Sequence, residues 1–265
     1  MKGYTLIEIV ATLIIVGLIM MTLMGYLRVT HQQLSFIKQH TQQTKKAVLA
    51  KHLLTPAISN TGFTGCLTSL HNQPSPFWQI QVEKNKVKQI QVSHLWPLDL
   101  QENASNSITI NQLHPRINKG DRLVLTDCHQ QKWLTVTHVS VDFSHNQQLV
   151  TVDNAVPTIK SQQHLYLWQT IRFTIAPSKI ASIHALYRQV NHGQRQEVLS
   201  GIESIQAQCQ NANQQWQSCR YIHHVSQLKA VALTLTIQSK QVRSAVKARQ
   251  LQLIIPVHGY EQTIT

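Results

Sequence analysis

Acidic side chains are scarce in this chain: of 265 residues, 11 are Asp or Glu against 24 Lys or Arg, so the formal charge is +13. The pI is about 9.8. Such a balance suits nucleic acid, an anionic membrane surface or an acidic partner. Yet no run of five or six bases occurs; Lys45-Lys46 and Lys84, Lys86 and Lys88 are the densest places, so a solvated surface is favoured over a nucleic-acid stripe. Catalytic patterns are missing as well. Gly-x-Ser-x-Gly, His-Glu-x-x-His, the phosphate-binding Gly-Lys-Ser/Thr and the dinucleotide glycine fingerprint are all absent, so no enzyme activity, catalytic residue or cofactor is expected.

Metal chemistry has little to stand on. There is no Cys-x2-Cys spacing. The pairs His223-His224 and Cys128-His129 could ligate in principle, but with histidines dispersed along the chain they read as surface or hydrogen-bonded side chains. Asp121, Asp127 and Glu102 lack the alternating oxygen spacing of calcium loops. Internal repeats and low-complexity linkers are also lacking, so a single globular domain is expected.

Cysteines number only four: Cys66, Cys128, Cys209 and Cys219. In an oxidising compartment they favour disulfides over free thiols, and three pairings are possible. The short separation of Cys209 and Cys219 favours a local bridge and leaves Cys66 with Cys128.

One long apolar run is present, at the start. Met1 to Glu8 leads into an uncharged stretch from Ile9 to Leu27. At 1.5 Å per residue, about 20 apolar residues cross the hydrocarbon of a bilayer. Glu8 lies inside this run, after Leu6 and Ile7, where a carboxylate costs on the order of 3 kcal/mol near a membrane centre and marks a partner or a function. A secretory signal would close the run with an Ala-x-Ala site, and none is found. A plain signal anchor, with Glu8 snorkelling to the interface, is the simpler alternative.

Lys2-Gly3-Tyr4-Thr5-Leu6-Ile7-Glu8 resembles the class III signal of type IV pilins and type II secretion pseudopilins, Lys/Arg-Gly-Phe-Thr-Leu-Ile-Glu, with Tyr4 where Phe is commoner. The resemblance implies a leader, residues 1–3, removed after Gly3 by a prepilin peptidase. Tyr4 becomes the first mature residue and is N-methylated. Glu8 then neutralises a newly liberated amine between stacked subunits, in a low-dielectric setting where opposite charges attract strongly.

The expected fold class is α+β and pilin-like: a long N-terminal helix over 4–58, membrane-spanning over about 6–27, packed on an antiparallel β-rich domain, 59–265. Arg28 to Thr55 contains no Gly or Pro, and Leu34, Ile37, Thr41, Thr44 and Val48 form a weak stripe expected to lie against the domain. Gly17 and Gly25 are candidate bends. Pro56 threatens continuation, and Gly62 and Gly65 are expected to end the helix. Alternation then predicts a hairpin of Trp78–Val82 and Val87–Val92, with strands at Ser107–Ile110, Arg122–Thr126, Trp133–Val141 and Leu149–Val152. The interval Pro97 to Asn106 reads as loop. Leu165–Ile175 is the strongest strand candidate. Lys229–Ile237 reads as a half-buried strand, Arg243–Lys247 as a connecting excursion, and Gln250–Val257 as the last strand.

Two further stretches narrow the resemblance. Gly62-Phe63-Thr64-Gly65-Cys66 is similar to the Gly-Tyr-x-Gly-Cys core that follows the long helix in PilW-type minor pilins, although Asn60 and Thr61 replace the family's Arg and Ala. Leu186-Tyr187-Arg188, a turn at Asn191-His192-Gly193, and Glu197 to Gln206 resemble a second block of PilW-type and J-type pseudopilin domains. What the resemblance implies is a minor pilin that primes type IV pilus assembly near the tip, held in the inner membrane with its bulk periplasmic. Its implied partners are prepilin peptidase, other minor pilins and the major pilin, the inner-membrane assembly platform, and inner-membrane lipid. A J-type pseudopilin of type II secretion is the near alternative. A tip-located binder of DNA or of a host surface is the alternative of another class; nucleic acid is a possible partner and not the favoured one.

Overall fold

The computed structural model describes residues 6–64, 76–83, 86–104, 106–127, 130–154, 156, 163–179, 183–222, 227–237 and 249–257. Gly3, Tyr4, Gly65, Cys66, Cys128, His129, His223, His224 and 243–247 lie outside the described residues. The chain is α+β, and its contacts divide it into two units, Met1–Val48 and Leu49–Thr265.

Helix α1 runs from Leu6 to Ser59. It stays helical through Gly17 and Gly25. Hydroxyls along it turn back onto the backbone: Thr12 donates to the Glu8 carbonyl, Thr22 to that of Ile19 and Thr30 to that of Tyr26. Such back-bonds are common for Ser and Thr within helices.

Pro56, flagged in the sequence as a threat to continuation, does not end the helix; it lies inside the last turn. The ring removes one N–H donor, and only three residues remain to follow it, so little of the ladder is lost. Asn60 N–H donates to the Pro56 carbonyl and Thr61 N–H to that of Ile58. Gly62, at φ 78°, then takes the left-handed conformation that turns the chain away.

Leu34, Ile37 and Val48 are exposed, whereas Ala50, Leu54, Ala57 and Ile58 are buried within the second unit. The last turns supply apolar side chains at the helical spacing 50, 54, 57 and 58, with Leu54 and Ile58 the large ones and Ala50 and Ala57 small enough for close approach.

The second unit is built from antiparallel strands. In chain order they are β1 (Trp78–Glu83), β2 (Lys86–Leu98), β3 (Leu100–Ala104), β4 (Ser107–Ile110), β5 (Arg122–Thr126), β6 (Gln131–Asp142) and β7 (Gln147–Val152). Then follow β8 (His164–Pro177), β9 (His184–Val190), β10 (Gln196–Ser200), β11 (Ile202–Gln210), β12 (Trp216–Ser218), a 3-10 turn at Cys219–Tyr221, β13 (Ala230–Ile237) and β14 (Arg249–Pro256). One sheet has the order β1-β2-β8-β5-β6-β7-β4-β3, with β9 also on β8 and β10 on β9; the other runs β12-β11-β13-β14.

Pro97 to Asn106 is therefore not a loop: β2 continues to Leu98, and β3 pairs with β4. The polar composition of Gln101 to Asn106 concealed an edge strand, whose outer side needs no apolar residues. Alternation in β13 also means something other than expected. Ala230 and Ala232 are buried as well as Val231 and Leu233, so large and small side chains alternate between two covered faces.

Strand β8 organises the larger sheet. Leu165, Leu167, Leu123, Ile108 and Val150 belong to the main core cluster on one face. Tyr166, Trp168, Val124 and Leu95 form a smaller cluster on the other, with Phe77 and Trp133 against it. The two-residue period sends neighbours to opposite faces, so a strand covered on both sides reads as an unbroken apolar run.

Candidate functional site

Two places in the chain carry features that a packed core does not explain, one in each unit. The first is the start of α1. Glu8 stands in its first turn, where the N-terminal end of the helix dipole favours negative charge. Every position from Glu8 to Val29 is exposed, including Leu13, Ile14, Leu18, Ile19 and Met21. A helix apolar all round and longer than 18 residues is long and apolar enough to cross a membrane, and among the described residues this is the one that qualifies.

The second place is a notch along β8. One edge of β8 pairs with β2 from Leu165 to Thr174. Its other edge is divided: β5 takes His164 to Trp168, and β9 takes Ile171 to Pro177. Between them Asn191, at φ 47°, substitutes for a strand. Its Oδ1 accepts from the Thr170 N–H at 2.7 Å, and its own N–H donates to the Thr170 carbonyl at 2.7 Å. Its Nδ2 donates to Asp121 Oδ1 at 2.9 Å, and Asp121 Oδ2 accepts from the Asn118 N–H at 2.9 Å. Asp121 is buried, so both oxygens are held by donors as a buried carboxylate requires.

Where β5 and β9 diverge, a cavity of about 150 Å³ opens, lined by Gly120, Asp121, Arg122, Trp168, Thr170, Arg172, Asn191 and His192. Register explains why these side chains meet. Arg122 stands opposite Trp168 and Arg172 opposite Gln91, so alternation puts Arg122, Trp168, Thr170 and Arg172 on one face. The Arg172 Nε–H donates to Gln91 Oε1 at 2.8 Å, which fixes one side of its guanidinium. Trp168 is 4% exposed, and its indole N–H has no hydrogen-bond partner among the described residues.

On the opposite face of β2, His94 is buried, and neither ring nitrogen has a hydrogen-bond partner among the described residues. Burial pushes its imidazole down to about 4. Gln169 across the ladder offsets part of this without making a hydrogen bond of ordinary geometry, and the Arg188 charge adds to the depression.

Of the residues singled out in the sequence, Cys209 and Cys219 form a disulfide, with S–S 2.04 Å and Cα atoms 4.9 Å apart. It ties the end of β11 to the 3-10 turn, and both sulfur-bearing residues are buried. Asp121 serves the notch, while an oxygen of Asp127 accepts the Gln130 N–H at 2.7 Å in its own turn. Among the described residues no group of three His, Cys, Asp or Glu side chains is placed to hold a metal. The notch was not foreseen in the sequence. Arg122, Trp168 and Asn191 are separated by more than twenty residues each, and no local pattern marks residues that meet only through strand pairing.

No family model matches the chain, and no curated protein matches it. Among solved structures, the N-terminal part of the bacterial S-layer protein SbsC aligns over 62% of this chain at 12% identity, with a TM-score of 0.18. The chain spans 44% of that structure's length, and a likeness this weak carries no argument.

Proposed function

We propose that the chain is a minor pilin of PilW type, which primes type IV pilus assembly after its leader is removed. The observation that carries this reading is the position of Glu8: a carboxylate in the first turn of a helix whose next twenty-one positions are all exposed. In water such a helix has no solvent that suits it, and in lipid its acid has none. Both needs are met when the helix leaves the bilayer for a bundle of like helices and Glu8 faces a neighbour's liberated Tyr4 amine. The Gly3-Tyr4 junction, the Gly62-Phe63-Thr64-Gly65-Cys66 turn and the Tyr187 to Glu197 block support the same reading.

On this reading the fold is pilin-like, the span anchors the precursor in the inner membrane, and the β-rich domain is periplasmic before it joins the pilus. Partner minor pilins dock on that domain. The test is processing and incorporation together. Gly3→Ala is expected to leave the chain uncleaved, three residues longer at its N-terminus than the mature form by intact mass. Glu8→Ala is expected to insert in the membrane at wild-type levels and be lost from sheared surface fibres. Deletion should abolish piliation while secreted proteins are exported normally. Normal fibres from the Glu8→Ala strain would sink the register role, and a secretion defect in place of a fibre defect would move the chain to the pseudopilins.

A further inference from the structure

We propose that the notch between β5 and β9 binds the carboxylate of a small organic acid. The site stands apart from the assembly role and rests on its own geometry.

The donors outnumber the acceptors. Arg122 and Arg172 bring two guanidinium groups to a cavity whose one carboxylate, Asp121, already has both oxygens engaged by Asn191 and the Asn118 N–H. Trp168, 4% exposed, lines the notch between them. An oxyanion suits the two arginines, because guanidinium forks match planar carboxylates through two parallel hydrogen bonds.

Charge selects among oxyanions. With His192 counted as neutral, two guanidinium groups against the Asp121 carboxylate leave a single positive charge in the notch. A monoanionic carboxylate balances it, whereas a phosphate dianion would leave excess negative charge beside buried Asp121. Size agrees: about 150 Å³ holds one such group with a small ring or short chain, below the range of about 300–1,000 Å³ that encloses drug-sized ligands.

The construction is also rigid. Arg172 is held by Gln91, Thr170 is held by Ser93 at 3.0 Å between hydroxyls, and Asn191 locks β9 to β8. A preformed site spends little binding energy on ordering itself.

The test uses the full chain in detergent, with the Trp168 indole resonance assigned by its loss in Trp168→Phe. Glucuronate is the probe, glucuronamide its neutral isostere, and inorganic phosphate the competing anion. A saturable shift of the Trp168 signal is expected with glucuronate and not with glucuronamide, with phosphate binding more weakly. Arg122→Gln and Arg172→Gln, at exposed side chains that leave the core untouched, should each weaken glucuronate at least tenfold, and Arg172→Lys should fall between. Absence of a saturable shift overturns the proposal. So does equal binding of the amide, tighter binding of phosphate, or unchanged affinity in either Gln variant with wild-type circular dichroism.

Discussion

Tyr187 and Glu197 stand directly opposite each other in the β9–β10 ladder, and the tyrosine hydroxyl lies 3.2 Å from Glu197 Oε2. That hydroxyl is shared with the Pro177 carbonyl at 2.8 Å. The same carboxylate accepts the Ser178 hydroxyl at 2.9 Å, so one acid ties the end of β8 to both strands of the hairpin. Arg195 lies over the Tyr187 ring, 4.3 Å from its centroid. Burial first, and then the neighbouring carboxylate, hold the phenol above its ordinary range of about 10. A folded value above the unfolded one means that stability is full below pH 10 and is lost as the pH rises beyond it. Thermal melts of the full chain should therefore fall more steeply above pH 10 in the wild type than in Tyr187→Phe; parallel curves would contradict the coupling.

The His94 imidazole predicts the opposite dependence. Its folded value is about 4 against 6.5 in the unfolded chain, so its contribution is full above 6.5 and is lost as the pH falls toward 4. Between pH 7 and 5 the wild type should lose about 2 kcal/mol more than His94→Leu, measured by urea unfolding. The apolar variant should also match or exceed the wild type at pH 5, because neither imidazole nitrogen has a hydrogen-bond partner to lose among the described residues.

Removal of the Cys209–Cys219 bridge releases a loop of sequence separation 10. The double variant Cys209→Ala with Cys219→Ala should lose about 2–3 kcal/mol in denaturant unfolding, and peptide mapping without reductant should recover the two cysteines joined. An unaltered midpoint would mean that packing around the 3-10 turn, not the bridge, holds it.

The last turns of α1 should be far more sensitive than its middle. Leu54→Ala and Ile58→Ala, at fully buried positions, should each cost about 2–5 kcal/mol. Leu34→Ala and Ile37→Ala, both exposed, should stay within about 0.5 kcal/mol. Equal effects at the four positions would refute the assignment of the packing face.

Local sequence was a good guide wherever local physics decides the outcome. The apolar run, the turn at Gly62 and the strands β5, β7, β13 and β14 were legible because hydrophobic period, glycine freedom and β-branched content act over a few residues. The edge strand β3 was misread, and Pro56 is tolerated, for a related reason. A helix interior and an edge strand tolerate unfavourable residues when neighbours supply the remaining contacts.

By itself the sequence determined an apolar helix with an acid in its first turn, and a β-rich remainder. Those properties follow from side-chain chemistry repeated at fixed spacing along one segment. Only the tertiary structure decided that β8 shares one edge between β5 and β9, and therefore that Arg122, Trp168, Arg172 and Asn191 enclose a cavity. Strand pairing brings together residues far apart in the chain. Its register is set by the joint burial of both sheet faces, which no single segment encodes.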